Sequence, residues 1–235
     1  MLKFNGDLRV IGIAMLAGLA AATSAAGAEP LLNSVQLGVG SLAFNTKSGY
    51  MSGPPGTTPD GAQADVKDRT AWAFLYERRI SGPWSIAFQA GVPPVVTMKG
   101  AGTAAPLGEI GSVRAWFPAI LGNYNWEPMR SLTLHAGAGL HYTFFTDGSA
   151  NNVYNSAFGG TSTRVHFSSS VGPVIKMGAS WSLDRSWFVD FSYNRYWIRT
   201  TATATTDTPG LGDITRKVTV RTSPDVFVLT LGYRF

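Results

Sequence analysis

The chain has 235 residues, no cysteine, 14% charged residues and a formal net charge of +5. Without cysteine it can build neither a disulfide framework nor a thiolate metal site, and charges this few and this scattered argue against nucleic acid as a partner. Beyond residue 28 no apolar run approaches the ~18 residues of a membrane helix, so a membrane form of this chain must close a sheet, because hydrocarbon offers an open strand edge no partner.

The first segment reads as an export signal. Lys3 and Arg9 make a basic start, 10–22 is an apolar run, and Ala26-Gly27-Ala28 is a small-x-small cleavage site. Residues 1–28 are expected to be a cleaved signal peptide and 29–235 the folded domain. That length suits one barrel of eight strands with long loops at one end, and is too short for a porin of ~16 strands.

Along the chain, strands are predicted over 34–47, 69–80, 84–97, 109–126, 131–146, 165–182, 186–200 and 214–235. Short turn signals at 80–83, 127–130 and 183–185 are flanked by Tyr76 and Trp84, Tyr124 and Trp126, Trp181 and Trp187. These predict periplasmic turns beside an aromatic girdle. Segments 48–68, 98–108, 147–164 and 201–213, rich in Gly, Thr, Ser, Pro, Asn and Asp, read as extracellular loops.

Period-two alternation supports these strands. In the fifth, Leu132, Leu134, Ala136, Ala138, Leu140, Tyr142 and Phe144 share one face, against Thr133, His135, Gly137, Gly139, His141 and Thr143. Trp72, Phe74 and Tyr76, then Trp84, Ile86 and Phe88, then Trp187, Val189, Phe191 and Tyr193, form similar faces in the second, third and seventh. The chain ends on a strand whose apolar side is Phe227, Leu229, Leu231, Tyr233 and the terminal Phe235. These faces read as lipid-exposed. A soluble barrel would turn them inward and present to water a surface of His, Gly and Thr with few charges, which suits solubility poorly. The fold class is therefore all-β, an eight-stranded antiparallel transmembrane β-barrel in a Gram-negative outer membrane.

The stretches PAILGNYNW (118–126), LHAGAGLHYTFF (134–145), SSVGPVIKMGASWSLDRSWFVDFSYNRYWIRTTA (169–202) and RKVTVRTSPDVFVLTLGYRF (216–235) resemble the outer-membrane protein W (OmpW) family, which includes the alkane-uptake protein AlkL. The chain departs from the family pattern at Val171, where an aromatic is expected, and in a first loop rich in Gly and Pro. The resemblance implies a narrow channel that admits small hydrophobic molecules and releases them sideways into the membrane.

An eight-stranded lumen is only just wide enough for its own side chains. Gln36, Glu77, Arg79, Gln89, Asn123, Asn125, His135, His141, Lys176, Asp190 and Arg234 fall in the inward phase and are expected to form a polar plug. Leu42, Phe44, Phe117, Leu121, Val174 and Val226 are inward yet apolar; they either fill a tapering barrel or form a ligand-binding pocket above that floor. Proline donates no ladder hydrogen bond, so Pro93-Pro94, Pro118, Pro173 and Pro224, near the outer edge of the membrane, mark either simple bends or gaps in the wall. Of these, Pro93, Pro94 and Pro118 are the candidate lateral gate, between the third and fourth strands.

Two rival readings can be stated. His166-Phe167-Ser168 has the spacing of a deacylase base and nucleophile, but position 180 is Ser where a carboxylate should orient the histidine, and Asp184 belongs to a periplasmic turn. His135 and His141 stand ~20 Å apart along their strand, too far to share a metal ion. No catalytic residue, metal or cofactor is expected. The second rival is a structural or adhesive barrel acting through its loops. Expected partners are outer-membrane lipid and lipopolysaccharide, a small hydrophobic ligand and the barrel-assembly machinery.

Overall fold

The computed structural model describes residues 31–235; the expected signal peptide lies outside them. In chain order the strands are β1 (Asn33–Ala43), β2 (Thr46–Ser48), β3 (Ala62–Val66), β4 (Arg69–Ser81) and β5 (Trp84–Gly91). There follow β6 (Val95–Gly102), β7 (Glu109–Trp116), β8 (Ala119–Met129), β9 (Leu132–Ala150) and β10 (Ser162–Phe167). The last are β11 (Ser170–Ser182), β12 (Trp187–Tyr196), β13 (Ile198–Thr208), β14 (Gly212–Thr222) and β15 (Asp225–Arg234).

Eight of them close a barrel in the antiparallel order β1-β4-β5-β8-β9-β11-β12-β15, with β15 returning to β1. Closure leaves no strand edge. It is completed at the C-terminus, where the Phe235 N–H donates to Asn33 O (2.9 Å) and the Asn33 N–H to Phe235 O (3.0 Å). The expected outward faces are outward: Trp72, Trp84, Leu140 and Phe191 are each more than half exposed. A chain that leaves such side chains uncovered along every strand, while burying Asn123, Lys176, Asp190 and Asn194, is inside-out relative to a water-soluble protein.

The upper half departs from the predicted strand limits. At one level the wall is interrupted at 44–45, 67–68, 92–94, 117–118, 168–169, 197 and 223–224, and only β9 runs through. Above the breaks the chain pairs again, in the order β3-β6-β7-β9-β10-β13-β14-β2. Much of the expected loops is therefore strand, because Thr-rich runs such as 200–206 suit a pleated surface as well as a loop. The upper ring is pulled together where β2 meets β3: Gln63 Nε2 donates to Ser48 O (2.9 Å), and the Ala64 N–H to Ser48 Oγ (3.1 Å). The connection from β9 to β10 at the top also holds a short helix, α1 (Asn152–Ala157), whose capping Asn151 accepts from the Tyr154 N–H (3.0 Å).

Pro93, Pro94, Pro118 and Pro224 lie in the breaks. Pro173 does not: it stands inside β11 opposite Leu140, and its carbonyl accepts from the Trp197 N–H (3.3 Å).

Candidate functional site

The lumen is stratified. At the bottom Phe188 turns inward, its ring stacked by the Arg234 guanidinium 4.3 Å from the centroid. Gly232 makes this possible, since a Cβ there would lie 2.2 Å from Phe188 Cζ. Above lies the polar plug. Asp190 is 1% exposed; its Oδ2 accepts from Ser180 Oγ (2.6 Å) and faces His135 Nε2 at 2.6 Å. With a carboxylate accepting, the histidine N–H donates. Gly178 leaves space for that ring, as a Cβ there would meet His135 Cε1 at 2.6 Å. Thr230 Oγ1 donates to Gln36 Oε1 (2.9 Å), and Asn125 Nδ2 to Ser85 Oγ (2.9 Å), whose hydroxyl in turn reaches Glu77. Arg79, by contrast, pairs with Glu127 at 2.5 Å in the exposed turn region rather than inside the plug.

An apolar layer sits on the plug. Leu42, Ala119, Leu121, Val174, Tyr196, Ile198, Val226 and Val228 form one buried cluster, with Phe44 and Phe117 against it. Tyr196 is the lid between layers. Its ring packs edge-on to Phe117 (centroids 5.7 Å apart) and lies 5.5 Å from His141, while its hydroxyl accepts from Gln89 Nε2 (2.5 Å).

Above Tyr196 a cavity of about 100 Å³ opens, walled by Phe44, Val96, Val113, Phe117, Phe145 and Phe167, with further apolar side chains from the upper ring. Its roof is Tyr154, backed by Phe158 and packed with Ile110 and partly buried Met51 and Met98. Arg216 pins the roof: Nη2 donates to Thr57 O (2.8 Å), Nη1 to Thr206 Oγ1 (3.2 Å), and the guanidinium lies 4.7 Å from the Phe158 ring centroid. Burial raises the Tyr154 phenol above its ordinary pKa, and the nearby Arg216 charge opposes that rise. Of the expected ligand residues, Phe44, Phe117 and Val226 line this cavity. Leu42, Leu121 and Val174 lie in the packed layer beneath it.

A second, smaller cavity of about 30 Å³ lies between the first and the wall. It shares Ala115, Phe117, Tyr196 and Val226 with the upper cavity, and its far side is Trp72, Ala90, Gly91, Val92 and Pro93. Trp72 and Val92 are 58% and 59% exposed on the outer face. Here the third and fourth barrel strands lose their ladder: β5 and β8 last pair at Gln89↔Ala119, and β6 and β7 resume at Val95↔Arg114. Between them the Ala115 N–H reaches Pro94 O at 3.4 Å. Pro93, Pro94 and Pro118 thus flank a thinned wall.

The residues of the rival hydrolase reading are not assembled. His166 is exposed on the outer face of β10, and Ser168 is engaged with β13, its Oγ accepting from the Thr201 N–H (2.9 Å). Tyr196 is absent from the residues expected to bind ligand, although its phase with Asp190, Ser192 and Asn194 along β12 points inward. Met51, Met98 and Tyr154 come from segments expected to be loops, where no periodicity marks an inward side.

A sequence profile described as the OmpW family matches residues 55–235. The chain belongs to the OmpW family. This family member is an outer-membrane β-barrel of the Gram-negative type. It is 26% identical over 202 residues to the dibenzothiophene metabolism operon protein PahQ of Pseudomonas aeruginosa, covering 85% of this chain and 87% of that protein. Its fold resembles the crystal structure of OprG from Pseudomonas aeruginosa, with a TM-score of 0.75 at 20% identity over 86% of this chain and 95% of the other. It also resembles AlkL as determined by solid-state NMR in lipid bilayers, with a TM-score of 0.61 at 17% identity, covering 92% and 96% of the two chains. For the E. coli outer membrane protein W the TM-score is 0.52 at 20% identity, with coverages of 87% and 97%.

Proposed function

We propose that this OmpW-family barrel takes up small hydrophobic molecules, holding them in the upper cavity and releasing them sideways through the wall between the third and fourth barrel strands. The observation that carries this reading is the adjacency of the two cavities, which share Ala115, Phe117, Tyr196 and Val226 as lining and together span from an apolar chamber to the lipid-facing Trp72 and Val92. The alternative route, straight down, is unfavourable. A guest moving below Tyr196 meets the buried Asn123, Asn194, Lys176 and Asp190, and setting an apolar surface against a buried polar group that it cannot satisfy costs ~1–3 kcal/mol per group. The chamber itself holds a guest loosely. An aromatic molecule hiding ~150 Å² gains ~4 kcal/mol at ~25 cal/mol per Å², a dissociation constant on the order of millimolar, which suits a conduit that must release what it binds. The kinship with a protein of a dibenzothiophene metabolism operon supports an aromatic or similarly apolar substrate class.

Two variants test the route in protein reconstituted into vesicles, with uptake of a fluorescent apolar probe as readout and heat-modifiable gel migration as the folding control. Ala115→Trp fills the junction of the two cavities and should slow uptake severalfold. A disulfide between Val95→Cys and Arg114→Cys, which face each other directly above the gap, should slow uptake and restore it on reduction. Folded variants that take up probe at the parent rate would refute the lateral path.

A further inference from the structure

Above the outward aromatic residues of the last four strands stands a row of cations that join no ion pair among the described residues. The β13–β14 register sets Arg199 opposite Arg221, and the β14–β2 register sets Arg221 opposite Lys47. All three are exposed, alternating with the inward Ile198 and Thr200 and the inward Val220 and Thr222. Directly opposed residues on neighbouring strands hold their Cβ atoms ~4.5–5.5 Å apart, and like charges so opposed destabilise a sheet. None of the six ion pairs among the described residues includes Lys47, Arg199 or Arg221. The carboxylate bordering the row, Asp225, is already engaged. It accepts from Asn45 Nδ2 (2.8 Å) and Tyr193 Oη (2.5 Å) and lies 3.5 Å from Arg195.

These cations line an open cleft of about 380 Å³ with Asn45, Arg195 and Trp197, the Arg195 guanidinium lying 5.8 Å from the Trp197 ring centroid. The height of the cleft decides what it meets. At ~3.3 Å per residue and ~40° tilt, Arg199 stands ~30 Å above Trp187 of the periplasmic girdle, just beyond the ~25 Å apolar band. Below it the outward side chains are Phe191, Tyr193 and Phe227, which face acyl chains. A soluble anion would need only the cations, whereas a lipid needs cations directly above an apolar surface, and that is the arrangement here.

We infer that this cleft binds the phosphate groups of the outer-leaflet phosphoglycolipid, the lipid A part of lipopolysaccharide, with acyl chains lying along Phe191 and Phe227. Guanidinium forks at Arg199 and Arg221 suit bidentate capture of phosphate. Lys47 supplies a third charge, and Trp197 an amphipathic ring at headgroup level. The bound anion relieves the repulsion across β13, β14 and β2, so the lipid fixes both the depth of the barrel and the pairing of its upper ring. This site lies on the outside of the wall and is independent of the uptake route.

The test uses the full mature barrel in maltoside micelles, titrated with purified bisphosphorylated lipid A and followed by native mass spectrometry. The variant K47Q/R199Q/R221Q should retain lipid A at least tenfold more weakly than the parent. R130Q/R185Q, which removes charge from the periplasmic turns, should retain it as the parent does. Should the triple variant lose heat-modifiable migration, R221Q alone, the middle of the row, should weaken retention at least threefold, and R221K should recover part of it. Equal retention by the parent and these variants would overturn the assignment, as would equal binding of dephosphorylated lipid A. Displacement of lipid A by equimolar inorganic phosphate would identify an ion site and overturn the lipid.

Discussion

Replacing Asp190 with alanine removes one buried acceptor from two buried donors. Ser180 Oγ and His135 Nε2 both approach the same oxygen at 2.6 Å, and the residues are 8% and 7% exposed, so water does not readily replace the lost partner. Each stranded donor costs ~1–3 kcal/mol. The two together give a loss of about 4 kcal/mol, a large share of the ~5–15 kcal/mol by which a folded protein is ordinarily stable. Urea unfolding in micelles, read by tryptophan fluorescence and gel mobility, measures it. In a background already carrying His135→Leu and Ser180→Ala the same Asp190→Ala change should cost less than half as much, because the donors it strands are gone. A loss below ~1 kcal/mol in the parent, or equal losses in both backgrounds, would refute the view that the plug is held by this shared carboxylate.

Three further outcomes are expected. Gly232→Val should prevent assembly, since its Cβ would fall 2.2 Å from Phe188 Cζ, and Phe188→Ala in the same chain should restore heat-modifiable barrel; failure of the rescue would show that the glycine serves something other than this contact. Deleting Phe235 removes both main-chain bonds to Asn33 and the ring stacked 6.5 Å from Tyr233, and should lower outer-membrane yield without changing synthesis, as quantified by fractionation and immunoblotting. The exposed Asp184 carboxylate accepts from the Trp187 and Ser186 N–H groups, both at 2.7 Å, and these bonds hold its pKa below the ordinary 3.8. A depressed carboxylate stabilises the folded turn above the ordinary value and loses that contribution as pH falls through the lowered one, so carbon-detected NMR titration should find Asp184 among the low-titrating carboxylates, and an unshifted value would remove its role in the turn.

Periodicity by itself determined the lower ring. Leu132 to Phe144 on one side of β9 and His135 to Thr143 on the other leave a single arrangement in which both faces are satisfied, because a period of two ties every side chain of a strand to one of two surfaces. The terminal row from Phe227 to Phe235 and the turns beside Trp84 and Trp187 follow from the same rule. Tertiary structure alone decided which inward residues share a layer. Phe44, Phe117 and Val226 line the cavity while Leu42, Leu121 and Val174 pack beneath it, a distinction set by the register between strands far apart in sequence. The upper ring belongs to the same class: the Thr-rich segment that reads as a loop becomes most of β13, and part of the first loop becomes β3, once a neighbouring edge is there to pair with, and strand propensity reports the fit to such neighbours rather than a property of the segment. The wall gap follows the same logic. Pro93, Pro94 and Pro118 announce missing donors, but whether a missing bond becomes a bend or an opening depends on what lies behind it, and only the closed barrel brings Ala115 and Tyr196 there.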